Sequence, residues 1–364
     1  MKNLVRKNIL GVKPYTPGKP IEEVERELGI RGVVKMASNE NCFGPSPKAM
    51  AAMRKAIPGV NRYPDASCFY LKSRLAKALG VSETMITVGN GSDEVIVLAI
   101  RTLVNEGEEV IIARPTFLIY EIASQISNAA MRFIPAMRDF RHDLKAMKKA
   151  ITPSTKMVFI ANPDNPTGTY VSKRELDEFF DGLPASVVVL LDEAYFEFAR
   201  SGFRDYPDGT GYLSRPNVMV LRSFSKAYGL AGLRVGYGIG NPELISYMER
   251  VRDPFNVNLM AQKAALAALD DKAFLKKTLA HTEREKEAFY NAFKKMRLKY
   301  VPSATNFMLV DVERDCQDVF GALLKRGVIV RDMKAWGLDS YIRVTIGTRA
   351  ENRKFLKALR EVLK

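Results

Sequence analysis

"SVVVLLDEAYFEF", residues 186–198, sets five Val or Leu residues in a row directly before a carboxylate. A run with no polar face reads as a strand buried on both sides, as in a parallel sheet covered by helices. Asp192 then stands at the end of that strand, where a bare carboxylate is costly unless a cation or hydrogen bonds meet it. One reading makes Asp192 a cap for the turn that begins at "EAY". The sharper one makes it the partner of a protonated ring nitrogen on a bound cofactor, with Tyr195 placed to reach the same ligand.

Outward from this stretch the same grammar repeats from about residue 84 to 240. "MITVG" precedes "SDEVIVLAIRTLV", "EEVIIA" precedes "PTFLIYEIASQI", "KMVFIAN" precedes "SKRELDEFFDGL", and "NVMVLR" follows in turn. Alternating strands and helices predict an α/β fold with a mostly parallel sheet covered by helices. Ligands in such folds sit beyond the carboxyl ends of the strands. Past residue 255 the pattern changes to a long helical stretch, then "NFMLVDV", "VIVRDM" and "YIRVTIGT", and a last helix with Thr348 and Glu351 at capping-box spacing. The expected division is an N-terminal arm over 1–45, a large domain over 46–255 and a smaller α+β domain over 256–364.

Composition narrows the function. The chain has 364 residues, is 47% hydrophobic and has a formal net charge of +15. It has no apolar run long enough to span a membrane, and its N-terminal apolar run is too short for a secretory signal. Cys42, Cys68 and Cys316 form no CxxC and are odd in number, which suits neither a disulfide framework nor a zinc site and points to the cytoplasm. His142 and His281 lie in charged, helix-like contexts, so a histidine metal centre or triad is not expected. The lysines are spread along helix patterns without interleaved aromatics, which argues for a solvated surface and against nucleic-acid binding.

The chemistry-bearing residues follow strands. In "VGNGSDEV", 88–95, two glycines and the start of a helix at Ser92 and Asp93 suit a phosphate; taken alone, the segment is equally a glycine turn with a serine cap. In "ANPDNPTG", 161–168, prolines hold Asn165 at a strand end, or simply make a stiff loop. "RSFSKAYGLAGLR", 222–234, offers Lys226 with Ser223, Ser225 and Arg234. Ser223-x-x-Lys226 matches the motif of penicillin-binding proteins, but their K-T-G is missing. A lysine in a dry site has a depressed pKa and becomes a Schiff-base former. Phosphate cup, amide, carboxylate and lysine together are what pyridoxal phosphate requires.

"NPDNPTG", "LDEAYFEF", "SFSKAYGLAGLRVGY" and "YIRVTIGT", in this order, resemble the fold-type I pyridoxal-phosphate aminotransferases. "PYTPGKP", "ASNENCFGPSP", "RYPD", "GNGSDE", "RPTFLIY" and "GVIVRDM" are similar to the histidinol-phosphate branch of that family. The resemblance implies that Lys226 bonds the cofactor pyridoxal 5'-phosphate and shuttles the proton. It implies that Asp192 pairs with the ring nitrogen, that Asn165 and Tyr195 bind the ring oxygen, and that Phe117 stacks on the ring. Ser92, Asp93, Ser223, Ser225 and Arg234 would surround the phosphate, joined by Tyr63 from the other subunit of a homodimer. Arg343 would bind the carboxylate of glutamate, and Arg331, Tyr15 and Asn39 the distal anion of the substrate; for Arg331 the plainer reading is a surface salt bridge. The implied reaction exchanges an amino group between histidinol phosphate and 2-oxoglutarate. An aromatic-amino-acid aminotransferase and a phosphothreonine decarboxylase are rivals on the same scaffold. A transcription regulator with an aminotransferase-like domain would need a DNA-binding domain ahead of the arm, for which no room is expected.

Overall fold

Alternate residues of the central strands enter two different cores, which is why those strands carry no polar face. Val158, Ile160, Val189, Leu191, Val218 and Val220 pack on one side with the helices Phe69–Leu79, Lys173–Phe180 and Leu259–Leu269. Phe159, Leu190, Met219 and Leu221 pack on the other with Ser92–Leu103, Leu118–Ile126 and Pro242–Val251. The computed structural model describes residues 2–364.

In chain order the strands are β1 (Val34–Lys35), β2 (Ile86–Gly89), β3 (Glu109–Arg114), β4 (Ala130–Pro135), β5 (Thr155–Ala161), β6 (Val188–Asp192) and β7 (Val218–Ser223). They continue with β8 (Gly236–Ile239), β9 (Tyr300–Val301), β10 (Phe307–Asp311), β11 (Val328–Ile329), β12 (Arg331–Asp332) and β13 (Tyr341–Thr345). A seven-stranded sheet has the order β2-β8-β7-β6-β5-β3-β4. Only β8 runs against its neighbours. The carboxyl ends of β2, β5, β6 and β7 therefore share one edge, and β8 begins there. The fold is the α/β arrangement with a mostly parallel sheet that the sequence predicts.

A second, antiparallel sheet has the order β12-β13-β10-β9. Its core joins Met308, Val310, Ile342 and Val344 to Phe289 and Phe293 of the long helix Lys272–Lys295 and to Phe355 and Leu359 of the last helix. The run "VIVRDM" is not one strand. β11 pairs in parallel with β1 of the arm, while β12 pairs with β13. Val330, 1% exposed, is the point at which the chain changes partner. The helix Leu259–Leu269 packs in the core of the large sheet, so the chain passes from one core to the other along Lys272–Lys295. Among the described residues no helix is long and apolar enough to cross a membrane.

Candidate active site

The shared strand edge, the arm and the second sheet enclose a cavity of about 350 Å³. A groove of about 1090 Å³ lies elsewhere, and several of its charged residues pair with one another, Arg141 with Asp139 and Glu175 and Arg174 with Glu178. The smaller cavity is the one on which a lysine, a buried carboxylate and two buried arginines converge, the Nε of each arginine without a partner, the mark of a binding site.

Lys226 follows β7. Its Nζ sits 5.6 Å from the centre of the Tyr195 ring and makes only a long, 3.4 Å contact to the Ser38 carbonyl. Burial, then the Arg343 guanidinium, pulls its pKa down to about 8. Asp192, the last residue of β6, is 5% exposed. The Tyr120 hydroxyl donates to its Oδ2 at 2.7 Å, and the Ala194 N–H to its Oδ1 at 3.0 Å. Burial raises its pKa to about 6 against the pull of those two bonds. A lysine pushed down and a carboxylate pushed up in one cleft mark a reactive site.

Beside them is an anion cup. The helix Ser92–Leu103 starts with its first N–H groups free, after Gly91 at φ 83°. β8 presses so closely on this helix start that a Cβ on Gly236 would lie 2.5 Å from the Ser92 nitrogen. Arg234 closes the cup, its Nη2 3.2 Å from Asp93 Oδ2 and its Nη1 3.5 Å from Ser225 Oγ. Ser223 Oγ accepts from the Ser225 N–H at 3.1 Å. Free helix N–H groups, hydroxyls and a guanidinium suit a phosphate.

The opposite wall holds two arginines. Arg331 and Arg343 face each other across β12 and β13 and are 8% and 6% exposed. The Nε of each is buried without a hydrogen-bond partner. Arg343 donates to the Ala37 carbonyl at 2.8 Å and to Asn165 Oδ1. Arg331 lies 5.8 Å from the Tyr15 ring and 5.3 Å from the Trp336 ring. Its burial removes the plainer reading of a surface salt bridge.

Phe117, Asn165, Tyr195, Tyr15 and Asn39 also line the cavity. The Asn39 amide is tied to its own neighbours: Nδ2 donates to the Tyr195 hydroxyl at 2.8 Å, and Oδ1 accepts from Thr345 at 3.1 Å. Its position therefore orients Tyr195. Tyr63 is outside the cavity of its own chain, 82% exposed and stacked on Phe255. Sequence reasoning missed Tyr120 and Trp336, both in the wall. Tyr120 stands three residues after Phe117, one helical turn, a spacing that any buried helix aromatic shares and that singles out no role. The set as a whole can hold a phosphorylated ring bearing an aldehyde, with Lys226 at the aldehyde and Asp192 at a protonated ring nitrogen.

Residues 31–359 match the family model for class I and II aminotransferases. The chain is 50% identical to histidinol-phosphate aminotransferase of Moorella thermoacetica, over 98% of this chain and 92% of that one. It is 49% identical to histidinol-phosphate aminotransferase 2 of Carboxydothermus hydrogenoformans, over 99% of each. Among solved structures it is similar to histidinol-phosphate aminotransferase from Sinorhizobium meliloti in complex with pyridoxal-5'-phosphate. That match has a TM-score of 0.90 and 30% identity, and covers 99% of this chain and 97% of that one.

Proposed function

The chain belongs to the class I and II aminotransferase family, and on that premise we propose that it exchanges the amino group of histidinol phosphate with 2-oxoglutarate. The products are imidazole-acetol phosphate and glutamate, and the reaction is a reversible step of histidine biosynthesis. Pyridoxal 5'-phosphate fits the cavity on local grounds. Asp192 is a buried carboxylate paired only with a hydroxyl and an N–H, and the helix start at Ser92 has no side-chain cap and is flanked by Ser225 and Arg234, donors suited to the phosphate. When bound, the cofactor supplies an electron sink for the pair left on the substrate carbon as its proton departs.

The chain's own residues do the rest. Lys226 would hold the cofactor between turnovers. With its pKa near 8, its amine is partly unprotonated near neutrality and would take and return the substrate proton. Asp192 would keep the ring nitrogen protonated. Asn165 and Tyr195 would meet the ring oxygen, and Phe117 would cover the ring face. Ser92, Asp93, Ser223, Ser225 and Arg234 would hold the phosphate. A second copy of the chain would bring Tyr63 to the same phosphate; the exposed apolar residues around it, Val60 at 61% and Tyr70 at 65%, support a homodimer through this face. The three free cysteines support a reducing, cytoplasmic setting.

One observation carries the choice of substrate: two buried guanidiniums face each other with unpaired Nε atoms. A buried charge without a partner is costly, so the site is complementary to a ligand bearing anions. Glutamate brings two carboxylates, and histidinol phosphate brings its phosphate. The test is a panel of histidinol phosphate, phenylalanine, aspartate and phosphothreonine against 2-oxoglutarate, with the parent and Arg331→Met. Loss of a buried charge-assisted partner is expected to cost about 2–5 kcal/mol, on the order of thirty- to several-thousand-fold in kcat/KM for histidinol phosphate. Phenylalanine has no distal anion and is expected to be far less affected. An equal loss for both substrates would make Arg331 structural and remove the residue-level support for a phosphorylated substrate.

A further inference from the structure

Asp192 is held by a residue that its own strand does not supply. Tyr120 lies on the helix Leu118–Ile126, is 1% exposed and makes a 2.7 Å hydrogen bond to Asp192 Oδ2. Its ring is stacked on Phe159 of β5 at 4.8 Å and 14°, and it meets Phe117 edge-on at 5.7 Å and 88°. Two aromatic contacts thus fix the ring, and the ring fixes the hydroxyl. Tyrosine loses little rotamer freedom when so packed, so its donor is placed in advance. The Ala194 N–H holds the other oxygen. The carboxylate is gripped at both atoms, in one rotation, with its remaining lone pairs directed elsewhere.

We propose that Tyr120 is a positioning residue for Asp192: its hydroxyl fixes the carboxylate's orientation and keeps it in the ionised form that a protonated ring nitrogen requires. The inference rests on the aminotransferase reading above. The surroundings of Asp192 explain why such a donor is needed. Burial opposes its charge most, and Asp93 from the helix Ser92–Leu103 and Asp164 from the loop after β5 add like charge. Lys226 after β7 and Tyr195 after β6 line the same cavity. Among these groups Tyr120 and the Ala194 N–H are the ones that stabilise the carboxylate by a hydrogen bond. The Tyr120 phenol is itself pushed well above its ordinary pKa, by burial first and then by Asp192. It therefore stays a donor throughout the pH range in which Asp192 titrates.

Tyr120→Phe keeps the ring and its stacking and deletes only the hydroxyl. The readout is the infrared carbonyl band of the protonated Asp192 carboxyl, titrated in the full chain stripped of cofactor and identified by its absence in Asp192→Asn. A lost hydrogen bond to a charged group is expected to move this titration upward by about one to two pH units. In the loaded enzyme, the acid limb of kcat is expected to move the same way, with KM for glutamate little changed. A fluorinated tyrosine at position 120, a stronger donor of nearly the same shape, is expected to move the band downward, so two variants of opposite sign read one coupling. An unmoved Asp192 band in both variants would overturn the proposal whatever the activity does. A shifted band in a chain with no transaminase activity would retain the coupling and reject the aminotransferase reading instead.

Discussion

Asp192 stands where function and stability pull in opposite directions. Its pKa is raised from 3.8 to about 6 in the folded chain, so the fold is favoured while the group is protonated and loses that advantage as pH rises through 6. Asp192→Asn is therefore expected to stabilise the cofactor-free chain at pH 7. The bound on the gain is about 3 kcal/mol, from a shift of about two units, and it should fade as the pH falls toward 4. The same variant is expected to slow transamination sharply, because an amide cannot keep a ring nitrogen protonated. Urea unfolding at the two pH values, with single-turnover rates on the loaded enzyme, checks both halves; no stability change at either pH and rates like the parent's would mean that Asp192 acts only as a turn cap, since Asn caps equally well. Most cavity residues were legible in the sequence because strand ends and their loops advertise them: Asp192 after "VVVLL", Lys226 after β7, Asn165 between two prolines. Tyr120 was not, since a buried aromatic on a helix has the same pattern whether it fills the core or grips a carboxylate. The tie between Asn39 and Thr345 spans 306 positions, and no local spacing encodes it.

At the scale of elements, the anion cup proposed for the phosphate depends on how closely β8 approaches the start of the helix Ser92–Leu103. A methyl on Gly236 would meet the Ser92 nitrogen at 2.5 Å and the Gly91 carbonyl carbon at 2.9 Å, both backbone atoms with no rotamer to yield. Gly236→Ala is expected to cost about 1–3 kcal/mol through overpacking and to move the helix start away from the phosphate. Equilibrium dialysis should show cofactor affinity reduced on the order of tenfold or more; unchanged affinity with lowered stability would mean that the helix start does not hold the phosphate. The sheet itself was legible because its strands are apolar without interruption. The break in "VIVRDM" was not, because Val330 is as apolar as its neighbours and β1, the partner that β11 takes, lies almost three hundred positions away, whereas β13, the partner of β12, follows close behind. The helix Leu259–Leu269 likewise reads with the C-terminal stretch and packs with the large sheet, a choice made by tertiary contacts alone.

The molecule as a whole presents Ile57, Val60, Tyr63, Phe69 and Tyr70 to solvent from one short segment, an apolar patch suited to a second copy. If Tyr63 completes its neighbour's phosphate cup, Tyr63→Ala and Lys226→Ala chains are each expected to be poorly active alone. Co-expressed, they form hybrids with one intact site, and activity should recover to about a quarter of the parent. No recovery in hybrids verified by mass would place Tyr63 outside the site. A different consequence follows from the wall that holds Arg331. Trp336 is the chain's single tryptophan, its indole N–H bound to the Thr116 carbonyl at 2.8 Å and its ring 5.3 Å from the Arg331 guanidinium. All of the protein's indole emission therefore originates at the wall of the cavity that holds Lys226 and Arg331. An anion that draws the guanidinium off the ring changes the light from one known place, so the enzyme is its own unlabelled optical gauge of occupancy.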